Sequence, residues 1–119
     1  MTKVLIVDDN SIVRAGLQAV LGRVDTVTET LEAEDAFTAL ETAAAHSPDI
    51  ILLDVSMPPG RSGLDILPEL VGNASVIMLT SMKDPELIRR ALDAGARGYL
   101  VHGQLGVTEV AGAIETCRH

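Results

Sequence analysis

The chain has 119 residues, of which 47% are hydrophobic and only 2% aromatic, and its formal net charge at pH 7 is −8. This balance excludes a disordered chain and predicts one domain with a core of Leu, Ile, Val, Ala and Met. The negative charge argues against direct nucleic-acid binding, because proteins that bind phosphate backbones usually present a clustered positive surface.

The single cysteine, Cys117, excludes an intrachain disulfide framework and a cysteine-based metal site. The N-terminus lacks the pattern of a signal peptide, and the longest apolar runs are far shorter than the roughly 20 residues that span a bilayer. We therefore expect a cytoplasmic protein without a membrane partner.

Short apolar runs alternate with longer segments of three-to-four-residue periodicity along the chain. In chain order, the pairs of predicted strand and helix are 3–7 and 11–22, 26–32 and 33–46, 49–53 and 64–71, 75–79 and 85–94, and 98–101 and 107–117. The second strand is amphipathic and suits a sheet edge. Because the other strands are apolar on both faces, the pattern predicts a doubly wound α/β domain, a parallel sheet covered by helices on both sides.

Polar side chains stand at the carboxyl ends of the predicted strands, where open parallel sheets bind ligands. Asp8 and Asp9 follow the first strand, Asp54 the third, Thr80 the fourth and His102 the fifth. Clustered carboxylates repel one another unless a cation lies among them, and Mg²⁺ binds carboxylates while leaving positions for a phosphoryl group. The pattern predicts a Mg²⁺ site in which Asp54 acts as a nucleophile and forms an aspartyl-phosphate.

Each of these residues also has a purely structural explanation. Asp8 and Asp9 can satisfy the first turn of a helix, which Asp9 or Asn10 can cap in either case. Asp54 can open an Asx-turn, and Thr80 is a common residue at a strand end. The functional interpretation is favoured because three separate loops would otherwise place acids and a hydroxyl at one edge by chance.

Four segments resemble the receiver domain of bacterial response regulators, which accept a phosphoryl group in two-component signalling. The segments are VLIVDDNSIVRAGL (first strand and acidic pair), IILLDVSMP (phosphorylation strand), VIMLTS (switch strand) and ALDAGARGYLV (fourth helix and fifth strand). VRAGL and AGARGYL are similar to the NarL/FixJ-type subfamily, whose members usually carry a C-terminal helix-turn-helix domain. The resemblance implies a flavodoxin-like (βα)5 fold of strand order 2-1-3-4-5, with one receiver domain over 1–119 and no output domain within it.

The resemblance also implies residue roles. Asp54 would accept the phosphoryl group from a sensor histidine kinase or from a small donor such as acetyl phosphate. The implied Mg²⁺ ligands are Asp8, Asp9, Asp54 and the backbone carbonyl of Ser56. Thr80 would then hydrogen-bond the phosphoryl oxygens, and Tyr99 would turn inward as Thr80 moves; without the family, Tyr99 is simply a half-buried strand residue.

As a receiver, the chain would be a signalling domain and not an enzyme, at most catalysing its own phosphorylation and dephosphorylation. It would form a homodimer through a helical face. It would contact DNA only through a separate output domain.

Two features depart from the family pattern. His102 stands where a lysine usually pairs with the phosphoryl group, and an imidazole is shorter and mostly neutral near pH 7. The loop MPPGRSGLD has one more residue between Pro58 and Gly63 than is usual. We expect Asp54 to be phosphorylated, with a structural response that is weak or pH-dependent. His102 is then either a tolerated loop residue with weakened coupling or a histidine cation that replaces the lysine.

Two other functions compete with this interpretation. A receiver-like module that dimerises or binds partners without phosphorylation is favoured by His102 and the altered loop, and disfavoured by the acids and Thr80. A small enzyme or nucleotide-binding domain would need a glycine-rich loop after the first strand, where DDNSIV stands. A phosphatase that used Asp54 as its reactive aspartate would also need a second acid two residues later for general acid catalysis. Ser56 stands at that position.

Overall fold

The computed structural model describes residues 2–55, 62–80 and 84–117. The strands are β1 (Thr2–Val7), β2 (Val27–Ala33), β3 (Ile50–Asp54), β4 (Ser75–Thr80) and β5 (Gly98–Val101). The helices are α1 (Ser11–Leu21), α2 (Ala36–His46), α3 (Gly63–Leu70), α4 (Pro85–Asp93) and α5 (Val107–Cys117), with a 3-10 turn at His102–Gln104. All strand pairs are parallel, in the order β2-β1-β3-β4-β5. The predicted fold class and strand order are confirmed.

Two apolar layers enclose the sheet, one on each face. Side chains of β1, β3 and β4 alternate between the layers, as the two-residue period of a strand requires. On one face Ile6, Leu52 and Leu79 pack with Leu17 of α1 and Ile114 of α5. The opposite face packs against α2, α3 and α4, and its main side chains are Leu5, Val7, Ile51, Leu53, Met78, Ala39, Leu67 and Ala91. The central strands are therefore rigid supports for the residues at their carboxyl ends.

Strand β2 lies at the edge of the sheet, as its amphipathic sequence predicts. The predicted start of the second helix at residue 33 is wrong. Ala33 pairs with Val7 as the last residue of β2, and α2 begins three residues later, at Ala36. The Asp35 carboxylate caps this helix by accepting a hydrogen bond from the Thr38 N–H at 2.7 Å. Alanine favours a helix intrinsically, but the sheet ladder and the cap decide the boundary.

The chain order reverses around β1, which has β2 on one side and β3 on the other. In such sheets the crevice beyond the carboxyl ends of the strands lies at this reversal. Asp54 and Thr80 are the last residues of β3 and β4, and Asp8 directly follows β1. The topology therefore brings the polar strand ends to one crevice.

Candidate functional site

Asp54 is the last residue of a central strand, and backbone hydrogen bonds fix the residue that follows it. It pairs in register with Leu79 of β4, and the Val55 N–H beyond it donates to the Leu79 carbonyl at 3.1 Å. The Gly63 N–H donates to the Val55 carbonyl at 3.0 Å, which ties the start of α3 to the end of β3. Asp54 is only 8% exposed. Its carboxylate is therefore placed by a buried strand that pairs with a strand on each side.

The carboxyl ends of the strands form one edge of the sheet, which we call the carboxyl edge. Among the described residues, Asp8 is the most deeply buried acid of this edge, with 1% exposure. Its N–H donates to the Ala33 carbonyl at 3.1 Å, which extends the β1–β2 ladder by one residue. One carboxylate oxygen, Oδ1, accepts the Asn10 N–H at 2.9 Å. Asn10 caps α1, since its side-chain oxygen accepts the Ile12 N–H at 2.8 Å. The capping role considered for the acidic pair thus belongs to Asn10.

Arg14 supports Asp8 from the first turns of α1. Its Nη1 donates to the Asp8 carbonyl at 2.6 Å, and its Nε donates to Glu32 Oε1 at 2.9 Å. Gln18 Nε2 donates to the other Glu32 oxygen at 3.0 Å. The Arg14 side chain is 15% exposed. Sequence reasoning missed this residue, although a cation one helical turn after an acidic pair was a signal that could have identified it.

His102 begins the 3-10 turn after β5 and reaches back across the crevice. Its Nε2 lies 3.2 Å from Asp8 Oδ2. Asp8, Asp54 and His102 each offer one ligand atom, and these three atoms lie within 4.8 Å of one another. Within the described ranges, this group does not include Asp9, which is exposed. Three of the residues chosen from the sequence are therefore adjacent, and a metal-binding role for Asp9 stays a prediction.

Thr80 and Tyr99 belong to the neighbouring strands β4 and β5. Thr80 is 5% exposed and pairs in register with Val101 of β5. Tyr99 is half-buried and packs against the apolar layer shared with α2, α3 and α4. These positions agree with the switching roles and equally with ordinary strand residues. The Ser56 carbonyl and most of the segment between Pro58 and Gly63 lie outside the described residues.

Gly63 sits closer to the site than its sequence context suggests. A Cβ atom at this position would overlap the backbone carbonyl of Asp54. The helix that starts here is capped by Ser62, whose hydroxyl accepts the Asp65 N–H at 3.2 Å. Glycine is therefore required for α3 to approach the end of β3, a constraint that was not recognised from the sequence.

Comparison with known proteins identifies the family. Residues 4–104 match the response regulator receiver domain family. The chain belongs to this family. The receiver is 38% identical over 103 residues to the transcriptional regulatory protein LnrK of Bacillus subtilis, covering 85% of this chain and 47% of LnrK. It is 33% identical over 102 residues to the oxygen regulatory protein NreC of Staphylococcus epidermidis, covering 83% of this chain and 47% of NreC.

A solved structure is similar over nearly the whole receiver. The signal receiver domain of the response regulator NarL from Mycobacterium tuberculosis superimposes with a TM-score of 0.88 at 30% identity, covering 98% of this chain and 94% of that one. The predicted resemblance to NarL-type receivers is confirmed. The receiver spans about half the length of the curated relatives it matches.

Family membership sets the general chemistry of the crevice. Receiver domains are signalling domains of two-component systems, in which a sensor kinase supplies the phosphoryl group, and they bind Mg²⁺ at an acidic pocket. The two buried carboxylates of Asp8 and Asp54 are hard oxygen donors of the kind that Mg²⁺ prefers, and they come from adjacent strands. These donors therefore fit the ion. No helix among the described residues is long and apolar enough to cross a membrane.

Proposed function

We propose that this receiver is a phosphorylation-dependent switch whose acceptor is Asp54. The observation that carries the proposal is the burial of two like-charged groups, Asp8 and Asp54, beside each other at the sheet reversal. Burial of carboxylates is costly unless a cation or a hydrogen-bonding network compensates, so such pairs mark functional sites. Asp8, Asp9, Asp54 and the carbonyl of Ser56 are the proposed Mg²⁺ ligands.

The proposed chemistry is an in-line phosphoryl transfer. An Asp54 carboxylate oxygen attacks the phosphorus atom, and a P–O bond forms while the bond from phosphorus to the donor breaks. The electron pair of the broken bond leaves with the imidazole nitrogen of a kinase phosphohistidine or with the carboxylate of acetyl phosphate. Bound Mg²⁺ supplies positive charge against the carboxylates and the incoming phosphoryl oxygens. Asp54 can perform this attack because β3 and β4 fix its position.

The response to phosphorylation is proposed to run from Asp54 to β5. The added charge recruits the hydroxyl of Thr80, which donates to a phosphoryl oxygen, and Tyr99 then turns inward. Thr80 lies at the end of the neighbouring strand and is paired with β5 through Val101, which supports this route. Self-catalysed dephosphorylation is part of the same proposal.

The partners follow from this role and from the relatives. A sensor histidine kinase donates the phosphoryl group, and phosphorylation favours a homodimer through a helical face. LnrK is named a transcriptional regulatory protein, which supports a DNA-binding output domain outside residues 1–119 and a cytoplasmic location. The negative charge of −8 supports the absence of direct DNA contact by the receiver itself.

One observation favours the alternative of a phosphorylation-independent interaction module. His102 lies against Asp8, in the position where a lysine was expected to serve the phosphoryl group. The buried acid pair and the family match favour the switch. The alternative predicts that a phosphoryl group on Asp54 changes nothing at β5.

Labelling with acetyl phosphate in the presence of Mg²⁺, followed by intact mass and peptide mapping, tests the proposal. The unmodified sequence should gain one phosphoryl group, and Asp54→Asn should gain none. Asp49→Asn is a matched control, because Asp49 immediately precedes the same strand at its opposite end and is exposed. Equal labelling of Asp54→Asn and the unmodified sequence, or no labelling of either, would refute Asp54 as the acceptor.

A further inference from the structure

The acidic crevice contains an imidazole nitrogen at the distance expected of a neighbouring metal ligand. His102 Nε2 and Asp8 Oδ2 are 3.2 Å apart, and both lie within 4.8 Å of a carboxylate oxygen of Asp54. Two ligands bound at 2.0–2.2 Å to a tetrahedral ion stand about 3.4 Å apart. The 3.2 Å distance between His102 Nε2 and Asp8 Oδ2 therefore suits a hydrogen bond when no metal is bound. It is also close to the distance between two ligands of one ion.

The three groups come from separate, well-fixed parts of the fold. Asp8 follows β1, Asp54 ends β3 and His102 follows β5. The two carboxylates are buried, whereas the His102 side chain keeps 24% exposure. The crevice thus has rigid ligands at its base and an imidazole at its solvent side, where an ion can enter.

The ligand set decides which ions bind best. Carboxylate, carbonyl and water oxygens suit Mg²⁺, whereas imidazole is a preferred ligand of Zn²⁺ and other first-row transition ions. Three protein ligands with a remaining open position are the arrangement of a catalytic-type zinc site. We propose that Asp8, Asp54 and His102 form a transition-metal site that binds Zn²⁺ through the imidazole, in competition with Mg²⁺ for the same two carboxylates.

The consequence for signalling rests on the proposed function, whereas the metal preference does not. Zn²⁺ held by Asp8, Asp54 and His102 would keep one open position, whereas Mg²⁺ keeps several waters that a phosphoryl group can replace. Zn²⁺ at a concentration that fills the site should therefore slow labelling of Asp54, and excess Mg²⁺ should restore it. His102 would then make the receiver sensitive to the kind of divalent ion available.

Competition with a chromophoric Zn²⁺ chelator tests the site, with Co²⁺ absorption as a second probe. His102→Gln keeps a polar side chain but removes the imidazole, and it should weaken Zn²⁺ binding by at least about tenfold, since even outer-shell changes at metal sites cost that much. The loss of Zn²⁺ affinity should exceed any loss of Mg²⁺ affinity, because only Zn²⁺ uses the imidazole as a ligand. The visible Co²⁺ bands should change in this variant.

His46→Gln is the matched control, because His46 is an exposed imidazole at the opposite edge of the sheet, where its carbonyl accepts Lys3 Nζ at 2.7 Å. This variant should bind Zn²⁺ as the unmodified sequence does. The proposal fails if His102→Gln retains Zn²⁺ affinity within about twofold, or if His46→Gln loses it instead.

Folding and phosphorylation are measured separately from Zn²⁺ binding. Circular dichroism and thermal unfolding without metal show whether His102→Gln is folded, and His102→Ala repeats the test if it is not. Phosphoryl labelling of the unmodified sequence in Mg²⁺ alone reports on the proposed function. Normal labelling together with unaltered Zn²⁺ affinity in both His102 variants would overturn only the zinc site.

Discussion

One aspartate, Asp49, precedes β3 and another, Asp54, ends it, and the two differ in their exposure and surroundings. Asp49, just before the strand, is exposed, and its carboxylate accepts the Lys3 N–H at 2.8 Å. Asp54, at the other end, is buried within 4.8 Å of a second buried acid. An exposed acid that accepts one backbone hydrogen bond needs no function to explain it. Two buried acids side by side do, because their charges are costly to hide.

The comparison also shows how a fold separates stability from function. The amino edge of the sheet uses ordinary surface hydrogen bonds, such as that from Lys3 Nζ to the His46 carbonyl. The carboxyl edge buries the carboxylates of Asp8 and Asp54, and Asp8 is held by the Asn10 N–H and by Arg14. Changes at the carboxyl edge should therefore alter binding, and equivalent changes at the amino edge should not.

The largest effect is expected from Gly63→Ala. The new methyl group would overlap the Asp54 carbonyl, so α3 or the end of β3 must shift. Overpacking of this kind costs about 1–3 kcal/mol of unfolding free energy and should also weaken Mg²⁺ binding. Gly72→Ala is the control, because a Cβ there meets open space. Urea unfolding of both variants measures the difference, and equal stability of the two would contradict the close approach.

Arg14→Ala should lower Mg²⁺ affinity by about tenfold with a smaller effect on folding. The guanidinium holds the Asp8 carbonyl, so its loss loosens a proposed metal ligand without removing it. Arg23→Ala removes an exposed arginine just beyond α1 and should leave affinity unchanged. Mg²⁺ titration measures the affinities of the two variants. Similar affinities would show that Arg14 only links α1 to β2.

Thr80→Val should uncouple phosphorylation from its response. Valine preserves the shape of the buried side chain and removes the hydroxyl, so Asp54 should still be labelled while β5 no longer responds. Backbone NMR shifts around Tyr99, with and without a phosphoryl mimic, measure this coupling. Thr80→Ser should keep the response. Undiminished shifts in Thr80→Val would eliminate the hydroxyl as the link.

The smallest effect concerns Asp35, a half-buried acid that follows β2. The backbone N–H of Thr38, followed by the Thr38 side chain, lowers the pKa of this carboxyl below its ordinary value. A lowered folded-state pKa adds stability above the unfolded value of about 3.9, and this stability is lost as the pH falls through the folded-state pKa. In a plot of unfolding free energy against pH, Asp35→Asn should slightly reduce the loss of stability at low pH. An unchanged profile would show that the charge of the Asp35 carboxylate contributes nothing measurable.

The sequence predicted the fold well because its signals are local. Apolar runs and helical periodicity identify the five strands and five helices, and the amphipathic second strand correctly marks the sheet edge. The boundary at Ala33 failed, since it depends on pairing with Val7 in another strand. Intrinsic helix propensity alone contains no information about this pairing between strands.

The site was predicted in part, for a similar reason. Asp8, Asp54 and His102 were found because parallel strands bring their carboxyl ends together. The contact between His102 and Asp8 joins residues 94 positions apart in the sequence, and it depends on side-chain directions that no local pattern specifies. The need for glycine at position 63 likewise appears only when α3 is seen against β3.

The most direct test of the account is a Mg²⁺ titration of the folded receiver, comparing Asp8→Asn with Asp49→Asn. The account predicts that the unmodified sequence and Asp49→Asn bind one Mg²⁺ with the same affinity, and that Asp8→Asn loses at least about tenfold. Mg²⁺ binding that is absent from the unmodified sequence, or retained in full by Asp8→Asn, would contradict a metal-dependent site at the buried acid pair.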